Sequence, residues 1–144
     1  MLYTKGDLIG DKLEVLDIIG RGGCGIVYLV QYYHRIDKTV GIYALKTILD
    51  EYLDSPSMRE RFRKEAQTWI SFSDHPNIVR IVTVEEIAGR LYILMEYIAP
   101  SDDGLSSLND HLKNRPPNTM QSLRWGIQFC YGMEYAYSKG LKAH

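Results

Sequence analysis

Ile19-Gly20-Arg21-Gly22-Gly23-Cys24-Gly25-Ile26-Val27 is the stretch whose reading decides the fold. Gly20, Gly22 and Gly25 stand in G-x-G-x-x-G spacing. Glycine opens backbone conformations closed to other residues and lets N–H groups come close to a bound anion. The letters alone are a weak signal, because tight turns and dinucleotide-binding folds share them. The residues after Gly25 separate the readings. A Walker-type phosphate loop ends in Gly-Lys-Ser/Thr, whereas Gly25 is followed by Ile26 and Val27. A dinucleotide fingerprint opens a helix. Here Ile26-Val27-Tyr28-Leu29-Val30-Gln31-Tyr32-Tyr33 is β-branched and aromatic, and reads as a strand. Strand, glycine turn, strand remains: either a hairpin lying over phosphates or a glycine-rich turn without a ligand. On this motif the two stand level.

Composition narrows the setting. The chain has 144 residues, the length of one ordinary domain, and 45% of them are hydrophobic, enough for a buried core. The net charge is −1 and there is no long basic run, so neither nucleic acid nor a polybasic membrane contact is expected. Cys24 and Cys130 lie far apart without metal-ligand spacing, which argues against a disulfide framework or a zinc site. Met1 to Asp7 lacks the apolar core of a signal peptide. No apolar run is long enough to span a bilayer, and a cytoplasmic location is expected.

Outward from the glycines, residues 1–12 read as a polar lead-in and Leu13 to Ile19 as a half-buried strand. His34 to Lys38 is a polar connection, and Val40 to Ile48 a third strand with Lys46 set in an apolar run. Ser57 and Glu60 have the spacing of a capping box, predicting a helix to about Phe72 with Met58, Phe62, Ala66 and Trp69 facing inward and Glu65 beside that stripe. Ile78 to Ile87 and Leu91 to Ile98 read as strands four and five, joined by a turn at Ala88-Gly89-Arg90. Pro100 to Gly104 is the candidate boundary between two structural units. A short helix over 107–114 and a longer one over 120–139 come next, the latter with Leu123, Ile127, Cys130 and Tyr137 at helical period and Gly140 as its stop signal. Gly126 and Gly132 weaken that helix by roughly 1 kcal/mol each, so it needs packing partners.

In this order the chain resembles the protein-kinase family, specifically bacterial-type serine/threonine kinases. The blocks are Gly20 to Val27, Tyr43-Ala44-Leu45-Lys46, Glu65, His75-Pro76-Asn77-Ile78-Val79 and Leu94-Met95-Glu96-Tyr97. Ordered blocks are far more specific than any one of them. The resemblance implies an α+β fold. Residues 1–98 would form a kinase-like small lobe, a five-stranded antiparallel sheet plus one long helix, and residues 99–144 the hinge exit and first helices of a truncated, mainly helical large lobe. It implies ATP as cofactor, a protein substrate as partner, and transfer of the γ-phosphoryl to serine or threonine.

Physical chemistry supports the pairing at its centre. A lysine in an apolar strand is costly unless paired, and Glu65, nineteen residues on, projects from a helix that must also pack inward. Pairing would fix the lysine's position more than add stability. Taken singly, Lys46 could snorkel from an edge strand and Glu65 sit solvated among Arg61, Arg63 and Lys64; the ordered blocks favour the functional pair. The resemblance places Lys46 and Glu65 in the catalytic apparatus. Cofactor contacts would come from Ile19, Gly20, Arg21, Gly22, Gly23, Cys24, Gly25, Ile26, Val27, Ala44, Lys46, Met95 (the gatekeeper position), Glu96 and Ile98. Trp69 and Ile81 match the family's regulatory spine, and Cys24 is expected to be exposed and inert.

Gly140-Leu141-Lys142-Ala143-His144 resembles the approach to the H-R-D-x-x-x-x-N catalytic loop, and the sequence stops at the histidine. The base, the magnesium ligands and the activation segment would lie beyond it. The 144 residues are therefore expected to be a fragment without useful catalysis, its last helix lacking a large-lobe core to pack on. Magnesium is expected only for the longer enzyme. The rival reading is a non-catalytic nucleotide-binding or interaction module, a pseudokinase or truncated product.

Overall fold

The computed structural model describes residues 2–33, 40–72 and 74–140. Two expectations, the polar connection at 34–38 and the catalytic-loop histidine His144, lie outside the described residues. The chain divides into two compact units, residues 1–70 with 80–97, and residues 71–79 with 98–144.

The first unit is one antiparallel sheet with one long helix. Its strands are β1 (Leu8–Ile9), β2 (Leu13–Arg21), β3 (Gly25–Tyr33), β4 (Val40–Ile48), β5 (Ile81–Ile87) and β6 (Arg90–Glu96), in the order β1-β2-β3-β4-β6-β5. The five strands expected from the sequence are joined by the two-residue β1, too short to show any periodicity. Strands five and six are briefer than their apolar runs: β5 starts at Ile81, because the Ile78 N–H turns back to the His75 carbonyl.

Alternation sorts the sheet's two faces. Leu13, Val15, Tyr28, Val30, Leu45, Tyr92 and Leu94 are buried together in one core. Register sets Val27 and Ile93 beside Lys46, and Met95 beside Ala44, on the opposite face. Thr47 is fully buried, and its hydroxyl donates to the Leu91 carbonyl at 2.8 Å, so no buried donor is left without a partner there.

The sheet curls until its edges approach. A Cβ on Gly10, in the β1–β2 turn, would stand 2.9 Å from Ile87 Cδ1 on β5. Beside it Lys12 Nζ donates to Glu85 Oε2 at 2.6 Å. The lead-in is more than a tether: the Tyr3 N–H donates to Tyr28 Oη, and the Tyr3 and Tyr92 hydroxyls lie 3.2 Å apart.

Helix α1 (Pro56–Ile70) begins one residue before Ser57, the first residue of the expected capping box. Ser55 caps it, its carbonyl accepting from the Arg59 N–H and its hydroxyl from the Met58 N–H. Pro56 takes the first helical position, where its missing N–H costs nothing. Glu60, freed from the box, lies 3.8 Å from Lys64 one turn on. Phe62 and Ala66 are the buried residues of the helix, and Met58 and Trp69 are half-buried.

The second unit holds α2 (Leu108–Asn114) and α3 (Thr119–Ser138). Ser107 and Asp110 make a reciprocal capping box at α2. The Ser107 hydrogen bond, with help from Ser106, holds the Asp110 carboxyl below its usual range. Gly140 stops α3 in a left-handed conformation, φ 96°, as expected. The stripe named from its period is exposed, Leu123 at 59% and Ile127 at 53%, while Gly132 and Ala136 are buried. Gly132 has its reason: a Cβ there would stand 3.3 Å from the Asn77 carbonyl oxygen. His75 stacks on Tyr135, ring centroids 5.0 Å apart, and holds the same segment to α3.

Two consequences are measurable. Ala88 sits at φ 49° in the β5–β6 turn, a left-handed position that favours glycine or asparagine. Ala88→Asn is expected to raise the free energy of urea unfolding by about 0.5–1 kcal/mol. Burial, then the Tyr3 hydrogen bond, pushes the Tyr92 phenol well above the ordinary tyrosine value. A raised pKa means that folding favours the protonated phenol, so its contribution is intact below about pH 10 and is lost as pH rises beyond. Alkaline titration of stability should show a shallower fall in Tyr92→Phe than in the native protein.

Candidate functional site

Lys46 lies near the C-terminal end of β4, an interior strand paired on one side with β3 and on the other with β6. Its Nζ forms an ion pair with Glu65 Oε1 from α1, and stands 5.9 Å and 5.8 Å from the ring centroids of Phe62 and Trp69. Its side chain is 24% exposed and that of Glu65 44%. Both the carboxylate and the aromatic faces answer the ammonium that an apolar strand cannot solvate. At this exposure the pair contributes about 0–1 kcal/mol. Its effect is positional: the ammonium is held where a ligand can still reach it.

The glycine stretch is the β2–β3 hairpin. The Gly22 N–H donates to the Gly25 carbonyl at 2.9 Å, and the Cys24 carbonyl accepts from the Leu49 N–H at 3.0 Å, tying the turn to the end of β4. Among the described residues the N–H groups of Gly23 and Cys24 take no acceptor. Successive free N–H groups in a turn form an anion-binding concavity.

The glycines are needed for reasons other than the one expected. None of Gly20, Gly22, Gly23 or Gly25 has a positive φ. Gly25 is required by close approach: a Cβ would stand 3.3 Å from the Thr47 carbonyl oxygen and 3.7 Å from Lys46 Cε. The hairpin thus rests on the strand beside the lysine. Gly22 and Gly23 have nothing within 4 Å of a built Cβ, which leaves room for another molecule.

Other expected residues divide. Gly20 faces Val27 across the hairpin, and Ala44 and Met95 are buried neighbours across β4 and β6. Arg21 pairs with Ile26 in register and is exposed. Ile26 departs from expectation: its side chain, 1% exposed, belongs to the core cluster with Tyr28 and Val30. One residue along a strand turns a side chain to the other face. Cys24 is half-buried rather than exposed, since its carbonyl is drawn back to Leu49. Ile81 is buried and pairs with Met95. Glu96 accepts from the Arg80 N–H through its carboxylate at 2.7 Å.

Two bulges in β2 escaped the sequence. Register slips between Val15 and Asp17 and again between Ile18 and Gly20, leaving Leu16 and Ile19 as the extra residues. Bulges bend a strand and re-aim side chains; Ile18 and Ile19 are both exposed, at 44% and 43%.

In the second unit Ile98 is 60% exposed. Of the two linker acids, Asp103 is ion-paired to Arg115, whereas Asp102 is exposed and has no partner among the described residues. The described residues contain no group of three or more histidine, cysteine or acidic side chains able to hold a metal ion. No described helix is long and apolar enough to cross a membrane.

Gly25→Ala is expected to cost about 1–2 kcal/mol in urea unfolding, because backbone must shift, while Gly22→Ala should change it by less than about 0.5 kcal/mol.

Comparison with known proteins converges on one family. The family described as protein tyrosine and serine/threonine kinase matches residues 13–141. A probable serine/threonine-protein kinase of Clostridium perfringens is 28% identical over 137 residues, 94% of this chain and 18% of that protein. The serine/threonine-protein kinase PrkC of Bacillus subtilis is 38% identical over 93 residues, 65% of this chain and 14% of that protein. Among solved structures, the PknI kinase domain of Mycobacterium tuberculosis superposes with a TM-score of 0.69 at 25% identity, covering 98% of this chain and 54% of that one. The chain thus spans less than a fifth of these two curated relatives and about half of the kinase domain it matches.

Proposed function

Because the chain belongs to the protein kinase family and has the α+β fold of its small lobe, we propose that it is the ATP-binding part of an enzyme that phosphorylates protein serine or threonine. The observation that carries this is the glycine hairpin resting beside the Lys46 ammonium, with Glu65 holding that ammonium in place. ATP supplies the transferable phosphoryl group. The chain's own residues bind and orient it. Phosphates would lie against the free N–H groups of Gly23 and Cys24 and the charge of Lys46. Transfer of a phosphoryl group is mostly positioning and charge stabilisation, so fixing these groups is the small lobe's share of the work.

Val27, Ala44 and Met95 supply apolar surface for the base, with Ile19 on its bulge beside them. The backbones of Glu96 and Ile98 would pair with the base edge, and Gly20, Arg21, Gly22 and Gly25 shape the lid. Ile26 contributes through its backbone and through the core. The preference for serine or threonine follows from the names of the relatives. This chain covers about half of the kinase domain it matches, so we assign phosphoryl transfer to the whole protein and nucleotide binding to this part. The intact Lys46–Glu65 pair and glycine hairpin argue against the rival, a non-catalytic nucleotide-binding or interaction module.

The test is Lys46→Ala in the full-length protein. Phosphoryl transfer to a protein acceptor is expected to fall about 100-fold or more, as when one charge-stabilising donor is removed from an active site. The unfolding free energy should change by less than about 1 kcal/mol. Unchanged transfer removes Lys46 from this role. Nucleotide binding without transfer in the native full-length protein favours the rival.

A further inference from the structure

The curl of the sheet ends in a seam. β1 and β5 are its two edge strands, and no ladder joins them. Side chains close the gap instead. Lys12 Nζ meets Glu85 Oε2 at 2.6 Å, across 73 residues of sequence, and Ile87 lies against the bare Gly10 backbone. Lys12 immediately precedes Leu13, the first residue of β2. The pair therefore grips the root of the strand whose far end is the glycine hairpin. Between root and hairpin lie the bulges at Leu16 and Ile19. Asp17, between them, accepts from the Ile18 N–H with its own carboxylate at 2.8 Å, a local bond that makes no demand on the neighbouring strand. The root is buried, Leu13 and Val15 at 3% and 0%, whereas Leu16 is half-buried and Asp17, Ile18 and Ile19 are exposed.

A strand clamped at one end and interrupted twice before the other bends at the interruptions. We propose that the Lys12–Glu85 pair and the Gly10–Ile87 contact form a clasp that anchors the root of β2, and that the hairpin moves on the two bulges as a lid hinged against that anchor. The hinge and clasp are read from the sheet; calling the hairpin a lid rests on the function proposed above. The clasp holds the sheet curled whether or not a nucleotide is bound, so opening it loosens root and hairpin together. Neither Lys12 nor Glu85 touches the Lys46 site.

Hydrogen exchange on the nucleotide-free, full-length protein tests this. Lys12→Glu is expected to speed exchange about threefold or more at β1, at the root of β2 and in the hairpin at 20–25, the size expected for losing a partly exposed ion pair. The charge swap Lys12→Glu with Glu85→Lys should return all three to within about twofold of native. Should Lys12→Glu not fold, the milder Lys12→Gln and Glu85→Gln, singly and together, carry the same cycle, with the double variant no faster than either single one. Unchanged exchange in the hairpin, or a swap that restores nothing, overturns the clasp. Adding ATP separates the two readings. Failure of ATP to protect residues 20–25 counts against the lid, while the exchange pattern without ATP still decides the anchor.

Discussion

An ammonium group in the middle of an apolar sheet must be answered by something, and much of this fold is arranged as the answer. Lys46 cannot leave β4, because strands flank it on both sides. Its counter-charge must come from another element, and α1 brings Glu65 together with the rings of Phe62 and Trp69. The helix's facing is thereby tied to one charge: turning α1 by a residue would move Glu65 away from Nζ and pull Phe62 out of the core. The hairpin meets the same constraint from its side, since Gly25 lies against Lys46 and so close to Thr47 that a side chain would press on its carbonyl oxygen. What is weak as stability is strong as registration.

Much of this is legible in the sequence, and the misses have physical causes. Glycine spacing, a lysine among apolar residues and a glutamate beside a helical stripe are each local patterns that survive folding unchanged. The bulges at Leu16 and Ile19 leave no such trace, because one extra residue in an apolar strand looks like one more apolar residue. Ile26 reads as a ligand contact from its place next to the glycines, although strand alternation turns it into the core. The start of α1 is ambiguous between two serines. Pro56 is the signal that resolves it, since proline belongs at the first helical position and the cap just before it.

Distance in sequence explains the rest. The contact of Lys12 with Glu85 and that of Tyr3 with Tyr92 join residues that no pattern relates. The same holds for Gly132: as a letter it weakens a helix, and only the nearby Asn77 carbonyl shows why a larger residue is unwelcome. The apolar stripe of α3 shows the reverse. Its period is clear, yet the residues that α3 buries within its unit are the small ones, Gly132 and Ala136.

The segment 71–79 groups with the second unit although the chain before and after it builds the first. The polypeptide therefore passes between the units at residues 70, 79 and 97. On a ribosome this sets an order of events. α1 and β5 emerge with a connecting stretch whose packing surface, the Gly132 and Tyr135 side of α3, is made 55 to 60 residues later. At ordinary translation speeds that is an interval of several seconds. Through that interval His75 and Asn77 wait in solvent, and the sheet can be complete through β6 while its longest connection is still undocked. The second unit's assembly is thus a late event that closes over a loop already spelled out, rather than a separate domain folding on its own schedule.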